Sequence, residues 1–487
     1  MSGNPSTFLP SSLCTSGSPP ANCDALERLN TVADILAGCV QSSGPSSSAC
    51  MKLMCDATPG LTYTSSCSGT PTITDTMAAA HLIVTNPANN VDALYGLAAA
   101  SPPFSPALGA APDGWEIALN FAPAAAAFNQ PESMALDGSG NVFVANSGKS
   151  MGTFGSVSEL TAASGYATGL NFAPTAAAFD APLSVVLDGS SNVFVANCGS
   201  YCSGAGNSGS VSELTAGSNP PYSGGLNFDA PAAAFNVPLS AALDGSGNVF
   251  VANCGSDCST TGNSGSVSEL TEASGYTSGA NFAPAGALFD LPGSIALDGS
   301  GDVFAANNSN SVSELAVASS YDLGFNFAPA AAKLRSPESI TLDGAGNVFA
   351  ANIDDGGGNF SVSELTAGSG YATGLNFASM DAEFDYPFSM ALDGSGNIFV
   401  ANEIGDINNG SVSELTAASS YATGLNFAPV GAAFDNPIAI AVDGSGNVFA
   451  ANNDGVSEIL GLAKPVITPV QSCLNFWSSH PGQACVP

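Results

Sequence analysis

One phrase, Leu-Asp-Gly-Ser-Gly-Asn-Val-Phe-Val-Ala-Asn, recurs seven times with small changes, and it limits the fold more than any other feature of the chain. Its Asp falls at Asp137, Asp188, Asp244, Asp298, Asp343, Asp393 and Asp443, so successive copies lie 45 to 56 residues apart. A second phrase, Ser-Val-Ser-Glu-Leu or a near variant, follows each copy and places a Glu at Glu159, Glu213, Glu269, Glu314, Glu364, Glu414 and Glu458. A third, Asn-Phe-Ala-Pro or a near variant, precedes each copy, with its Phe at Phe121, Phe172, Phe228, Phe282, Phe327, Phe377 and Phe427. A unit of this length cannot bury its apolar face alone, so the copies must pack on one another.

Each cassette reads as four short strands. Strand a runs from Pro131 to Leu136, and Asp137 to Gly140 is a tight turn, since Gly tolerates positive φ and Asp caps its own turn. Strand b runs from Asn141 to Asn146, with Val142 and Val144 alternating against Phe143 and Ala145. Strand c is Ser156 to Thr161, and strand d surrounds Asn171 and Phe172. Four-stranded units at this period fit β-propeller blades. The phase of the repeat adds to this. A strand d near Trp115 to Phe121 precedes the first strand a, and the last cassette ends at Leu460 without one. A ring closes if the N-terminal strand completes the last blade, which removes open sheet edges between first and last units. The expected fold is therefore mainly β, a seven-bladed propeller over residues 115–460.

The cassette Pro-x-Ser-x-x-Leu-Asp-x-x-Gly-Asn-Val-Phe-Val-Ala-Asn resembles the NHL-repeat propellers, and among them secreted bacterial ones with a Ser-Val-Ser-Glu-Leu third strand. The segment from Asn30 to Trp115 resembles a Cys-containing helical leader found before such propellers. Many members have six blades, whereas seven cassettes stand here. The resemblance implies the fold; its functions are mixed, spanning protein binding, ligand scaffolding and a few enzymes.

Residues 1–114 lack the repeat and read as a small, mostly helical domain. Leu26 to Val40 carries Leu26, Leu29, Val32, Ile35 and Leu36 at helical spacing. Further helices are expected from Met51 to Met54, from Ile73 to Thr85 with Thr74 and Asp75 at its start, and from Asn90 to Leu97. Residues 461–487 form a Pro-containing tail.

The chain has twelve Cys and two His, His81 and His480. With no Cys-x-x-Cys pair and so few imidazoles, the cysteines fit disulfides in an oxidising compartment better than a zinc site. In the leader, proximity in sequence alone pairs Cys14 with Cys23, Cys39 with Cys50 and Cys55 with Cys67, out of fifteen arrangements. Cys198 with Cys202 and Cys254 with Cys258 would close two small loops, and Cys473 with Cys485 the tail. The start, Met1-Ser-Gly-Asn-Pro, has neither a basic stretch nor an apolar run, so no signal peptide is read in this chain, although the cysteines argue for export. No apolar run reaches membrane-spanning length. With 6 basic against 40 acidic residues and a net charge of −34, nucleic acid and anionic lipid are excluded as partners.

Three places could carry function. The connection from strand d to strand a offers Asp180, Asp290, Asp385 and Asp435 in different blades, with Asn129, Asn236 and Arg335 at the equivalent sites; the four carboxylates could converge on calcium, or each could cap its own turn. The connection from strand b to strand c is longest in blades 2 and 3, where the Cys pairs sit, and on this face Tyr201, Asp257, Asp354, Asp355, Glu403 and Asp406 supply side chains for recognition. The turn Asp-Gly-Ser-Gly-Asn is a weaker calcium candidate. By contrast, the strand-c Glu and strand-b Asn repeat in every blade, as structural residues do, and the strand-a Ser (Ser133 and its counterparts) have no base beside them in sequence. Asn307, Asn359 and Asn409 begin formal glycosylation sequons.

The leading expectation is a non-enzymatic extracellular scaffold that binds protein or glycan. The alternatives are a self-assembling subunit of a filament or surface layer, with this chain as its own partner, and a calcium-dependent lactonase-like hydrolase resting on family analogy.

Overall fold

The computed structural model describes residues 20–98, 103–148, 155–199, 209–255, 258, 265–353, 358–403, 410–429, 432, 434–453 and 455–464. Seven four-stranded antiparallel sheets follow one another in sequence. In blade 1 the strands are Pro131–Leu136 (a), Val142–Asn146 (b), Ser156–Leu160 (c) and Gly169–Phe172 (d), as the cassette predicts. Blade 7 takes a, b and c from Ala439–Val442, Val448–Asn452 and Gly455–Ile459, and its strand d is Ala118–Phe121 from the start of the ring. Leu119 lies opposite Glu458 and Asn120 opposite Ser457, the register that Leu170 and Asn171 keep with Glu159 and Ser158 in blade 1.

Strand b is buried on both faces in every blade, and its alternation encodes two different contacts. Phe143 and Ala145 pack with Val193 and Val195 of blade 2, whereas Val142 and Val144 pack with Phe449 and Ala451 of blade 7. A strand that serves two neighbours reads as a continuous apolar run. Tyrosines lock the junctions. Tyr222 of blade 2 inserts between Phe143 and Phe172 of blade 1, with ring centroids 5.3 and 5.1 Å apart, and its hydroxyl donates to the carbonyl of Ser191. Tyr166, Tyr276, Tyr321, Tyr371 and Tyr421 repeat the arrangement. At the junction of blades 6 and 7, Leu462 clusters with Phe399 and Phe427 in that role.

Polar residues that repeat are likewise structural. Asn146 Nδ2 donates to Ser158 Oγ at 2.8 Å, Ser158 Oγ donates to the Ala126 carbonyl at 2.5 Å, and Asn146 Oδ1 accepts the Asn129 N–H at 3.0 Å. This chain of bonds ties strands b and c to the d-to-a connection, and blades 2 to 6 repeat it. The inner strands are stitched across blades: Ser133 Oγ accepts the Val185 N–H, Ser184 Oγ that of Ala241, and Ser240 Oγ that of Ile295. Asp137 Oδ1 accepts the N–H groups of Ser139 and Asn141, each at 2.8 Å, while Oδ2 accepts Asn141 Nδ2. That carboxylate is committed to its turn, as its counterparts are, so the Asp-Gly-Ser-Gly-Asn sequence is a structural turn.

Among the described residues four helices precede the ring: α1 (Pro20–Val40), α2 (Ser48–Ala57), α3 (Thr76–Thr85) and α4 (Val91–Tyr95). Asp75 caps α3 by accepting the Ala78 N–H. Bridges Cys39–Cys50 and Cys55–Cys67 are present as expected, and Cys23 is also disulfide-bonded. Cys14, Cys473 and Cys485 lie outside the described residues. The helices bury Val32, Ile35, Leu53, Ile83 and Leu94 around Trp115. α1 begins six residues before the expected Leu26, because its first turns face the propeller rather than the helical core: Ala25 and Leu26 cover Ile117 and Leu119. No helix among the described residues is long and apolar enough to cross a membrane.

Candidate functional site

The d-to-a and b-to-c connections lie on one face of the ring, as expected, because each blade bonds them together. Gly148 N–H donates to the Asn129 carbonyl, Gly199 to Asp180, Gly255 to Asn236, and Glu403 to Tyr386. The opposite face carries the a-to-b turns, held to the c-to-d connections: Ala162 N–H donates to Asn141 Oδ1.

Within the inner strands one pattern breaks the repeat. The Pro that opens strand a is present in every cassette, and so is the apolar register beyond it, but the residues flanking that Pro differ in every blade. They are Gln130 and Glu132, Ala181 and Leu183, Val237 and Leu239, Leu291 and Gly293, Ser336 and Glu338, Tyr386 and Phe388, and Asn436 and Ile438. All seven residues before the Pro take a positive φ, between 42° and 56°, although none is Gly. Such backbone is costly, above all for Val237, and it recurs at the same place in every blade, as a feature of the fold.

The flanking residues divide the mouth of the central opening into two halves. Blades 2, 3 and 4 make an apolar half: Cys198, Val237 and Cys254 are buried together, with Ala181, Leu183, Leu239, Leu291 and Cys258 against them. The Cys254–Cys258 bridge is present, and Cys198 is disulfide-bonded. Cys198, Cys254 and Cys258 thus form part of this apolar half. Blades 1, 5 and 6 make an acidic half. Burial pushes the carboxyl of Glu132 up; a 2.6 Å hydrogen bond from Ser147 Oγ opposes this, and the charge of Glu403 adds to it. Burial raises Glu338 as well, again reinforced by Glu403, and Asn308 Nδ2 lies 3.5 Å from its carboxylate. Glu403 is itself raised by burial. Its field therefore reaches carboxylates on two other blades. Beside it, Tyr386 stacks obliquely on Phe360 with centroids 4.8 Å apart and keeps 41% of its surface exposed. Carboxylates next to an exposed aromatic face suit a cationic group.

Of the sequence-based candidates, Glu403 belongs to this mouth. Tyr201, Asp257, Asp354, Asp355, Asp406 and Cys202 lie outside the described residues. Asp180, Asp290 and Asp385 use their backbone N–H groups to donate to the strand-b Asn of their own blades. Among the described residues no group of three or more His, Cys, Asp or Glu is close enough to hold a metal, so the structure does not gather these three and Asp435 into a calcium cage. Asn307 is fully buried and donates to Ser313 Oγ, which closes that sequon to a glycan. Glu132 and Glu338 escaped the sequence reading because it compared loop lengths; the signal was the variation on either side of the repeated Pro.

The opposite face carries a second acidic ring. Burial raises each strand-c Glu, with the turn Asp of its own blade adding to the effect: Glu314 and Glu414 are pushed up to about 7 and Glu458 to about 8. Glu159, Glu213, Glu269 and Glu364 move in the same direction. Their identity in every blade assigns them to packing.

No protein-family model and no curated protein matches the chain. Solved structures match the propeller. The extracellular domain assigned to a one component system of B. thetaiotaomicron aligns at 12% identity and TM-score 0.50, over 71% of this chain and 42% of that one. YCF48, solved bound to a D1 peptide, aligns at 11% identity and TM-score 0.49, over 74% of this chain and 98% of that one. PorZ, a bacterial surface component of the type-IX secretion system of Porphyromonas gingivalis, aligns at 13% identity and TM-score 0.41, over 67% of this chain and 47% of that one. The chain spans less than half the length of the first of these structures. At such identities the likeness is one of fold.

Proposed function

We propose that this protein is a non-enzymatic extracellular scaffold that captures a protein segment at the mouth of its propeller, through a cationic side chain set beside an apolar one. One observation carries the reading: the positions that differ from blade to blade flank the strand-a Pro, sit on one face, and sort into an apolar half and an acidic half. A rigid ring with variable residues at its rim is a common way to build recognition. The partly buried carboxylates Glu132, Glu338 and Glu403 supply the cation-binding side, and Tyr386 supplies an aromatic face. The overall charge of −34 draws basic partners toward the ring. Disulfides support an extracellular or surface location. The inner-strand hydroxyls act as acceptors for backbone N–H groups of the next blade, which leaves them poorly suited to act as nucleophiles.

Selection of a random displayed-peptide library on the full-length protein tests this. Selected peptides should share a Lys or Arg within two positions of a large apolar residue, and should lose capture by a Glu132→Gln, Glu338→Gln double variant. Enrichment of sequences without a basic residue, or capture that survives the double variant, contradicts the proposal.

A further inference from the structure

Blade 7 shows what its outer edge accepts. Asn120, in the outermost strand, receives a side-chain amide: its N–H donates to Asn22 Oδ1 at 2.9 Å, and its carbonyl accepts from Asn22 Nδ2 at 3.1 Å. The primary amide of Asn22 thus takes the place of a peptide group of an adjoining strand. Around it Ala25 and Leu26 cover Leu119, leaving it 8% exposed.

The other six blades present the same edge without α1. Their outer strands read Gly-Leu-Asn-Phe in blades 1, 2, 5 and 6, Gly-Ala-Asn-Phe in blade 3 and Gly-Phe-Asn-Phe in blade 4. Each is the terminal strand of its sheet and keeps the register of Leu119 and Asn120. Five of the six counterparts of Leu119 are open to solvent: Leu170 at 51%, Leu226 at 52%, Phe325 at 48%, Leu375 at 54% and Leu425 at 37%; Ala280 is half-buried. Natural sheets blunt open edges with Lys, other charges or Pro. Here, in a chain with 40 acidic residues, no outer strand carries a charge or a Pro.

We propose that these outer strands pair edge to edge with the outer strands of a second copy of this chain. The occupant follows from two features. The edge of blade 7 is satisfied by an amide group donating and accepting at one residue, which is what an antiparallel strand offers. The remaining edges are nearly identical and uncharged, so two of them brought together antiparallel around their Asn match each other, with the Leu of each strand opposite the Phe of the other. A four-residue edge binds weakly, but several edges on one ring raise the avidity of repeated contacts. This surface is separate from the mouth, and its failure leaves the mouth reading untouched.

Sedimentation velocity of the full-length protein from about 1 µM to about 1 mM, in about 150 mM salt, tests the inference against a variant carrying Leu170→Lys, Leu226→Lys, Leu375→Lys and Leu425→Lys. The four side chains are exposed, so the fold should tolerate them, with circular dichroism as the check. Lysine lowers the net negative charge, so any loss of association comes from the altered edges and not from greater long-range repulsion between copies. The expected result is growth from 48.0 kDa to dimers and larger species in the wild type, with the variant monomeric throughout. A wild type that stays at 48.0 kDa, or a variant that associates equally, overturns the proposal. Should the variant misfold, hydrogen exchange on the wild type decides: the backbone N–H groups of the outer-strand Asn must gain protection in the concentrated sample, and unchanged exchange overturns it.

Discussion

The side-chain amide of Asn22 holds both the N–H and the carbonyl of Asn120, so a helix residue completes the outermost strand of the blade that closes the ring. The closing blade joins the two ends of the repeat, with strand d from residues 118–121 and strands a to c from residues 439–459. Its edge is the one on which local loss of structure would open the ring.

Asn22→Ala removes both bonds. Each neutral hydrogen bond is worth about 1 kcal/mol, and buried groups left without partners cost more. The variant should lose about 2 kcal/mol, and amide exchange at Asn120 and its neighbours should accelerate before that of blades 2 to 5. Uniform acceleration around the ring would show that this edge is not the weak seam.

The strand-c glutamates make stability depend on pH in an unusual direction. Their folded pKa values are raised, so their contribution is complete below the ordinary carboxyl range and is lost as pH rises through about 7 to 8, where Glu314, Glu414 and Glu458 ionise against burial. The melting temperature should therefore fall between pH 5 and pH 8. Glu458→Gln should raise it at pH 8 and leave it nearly unchanged at pH 5. A melting temperature that rises across this interval contradicts the assignment.

Tyrosine locks should dominate the cost of separating blades. Tyr276 packs on Phe194 and Phe228 and donates to the Gly247 carbonyl. Tyr276→Phe should cost about 1 kcal/mol, for the hydrogen bond alone. Tyr276→Ala should cost about 3 to 5 kcal/mol, as large aromatic truncations do. Denaturant unfolding would read both, and similar losses for the two variants would place the energy in the hydroxyl instead of the ring.

In blade 2, close packing of blade 3 demands Gly209 before strand c. A Cβ on Gly209 would lie 2.1 Å from Pro238 Cδ and 2.8 Å from the Asn197 carbonyl oxygen, so neither neighbour can give way. Gly209→Ala should destabilise by about 1 to 3 kcal/mol, the range of overpacked cores. Gly217→Ala, on the same blade with nothing within 4 Å, is the control and should be close to neutral.

The architecture was legible in the sequence because identical cassettes must occupy identical environments. The count of blades, the strand limits within about a residue and the closing role of residues 118–121 all follow from periodicity. Cys39–Cys50, Cys55–Cys67 and Cys254–Cys258 were read from proximity in sequence alone, and the bridges are present. The mouth was not legible by the same means. Glu132 and Glu338 sit in strands whose other positions repeat, and only the ring geometry shows that they share one opening with Glu403 of a third blade. The role of Asn22 was equally hidden, because nothing in a helical pattern marks a side chain that pairs with a strand 98 residues away.

Calorimetric titration of the full-length protein with a peptide that alternates Lys and Leu measures the central claim most directly. Two triple variants remove the same net charge: Glu132→Gln, Glu338→Gln and Glu403→Gln at the mouth, and Asp92→Asn, Glu272→Gln and Asp322→Asn at exposed sites away from that face. The account predicts that the mouth variant binds at least about tenfold more weakly, equivalent to about 1.4 kcal/mol, while the control matches the wild type. Equal weakening in both variants, or affinity unchanged in both, would mean that the acidic surface attracts the peptide diffusely and that the mouth is not a binding site.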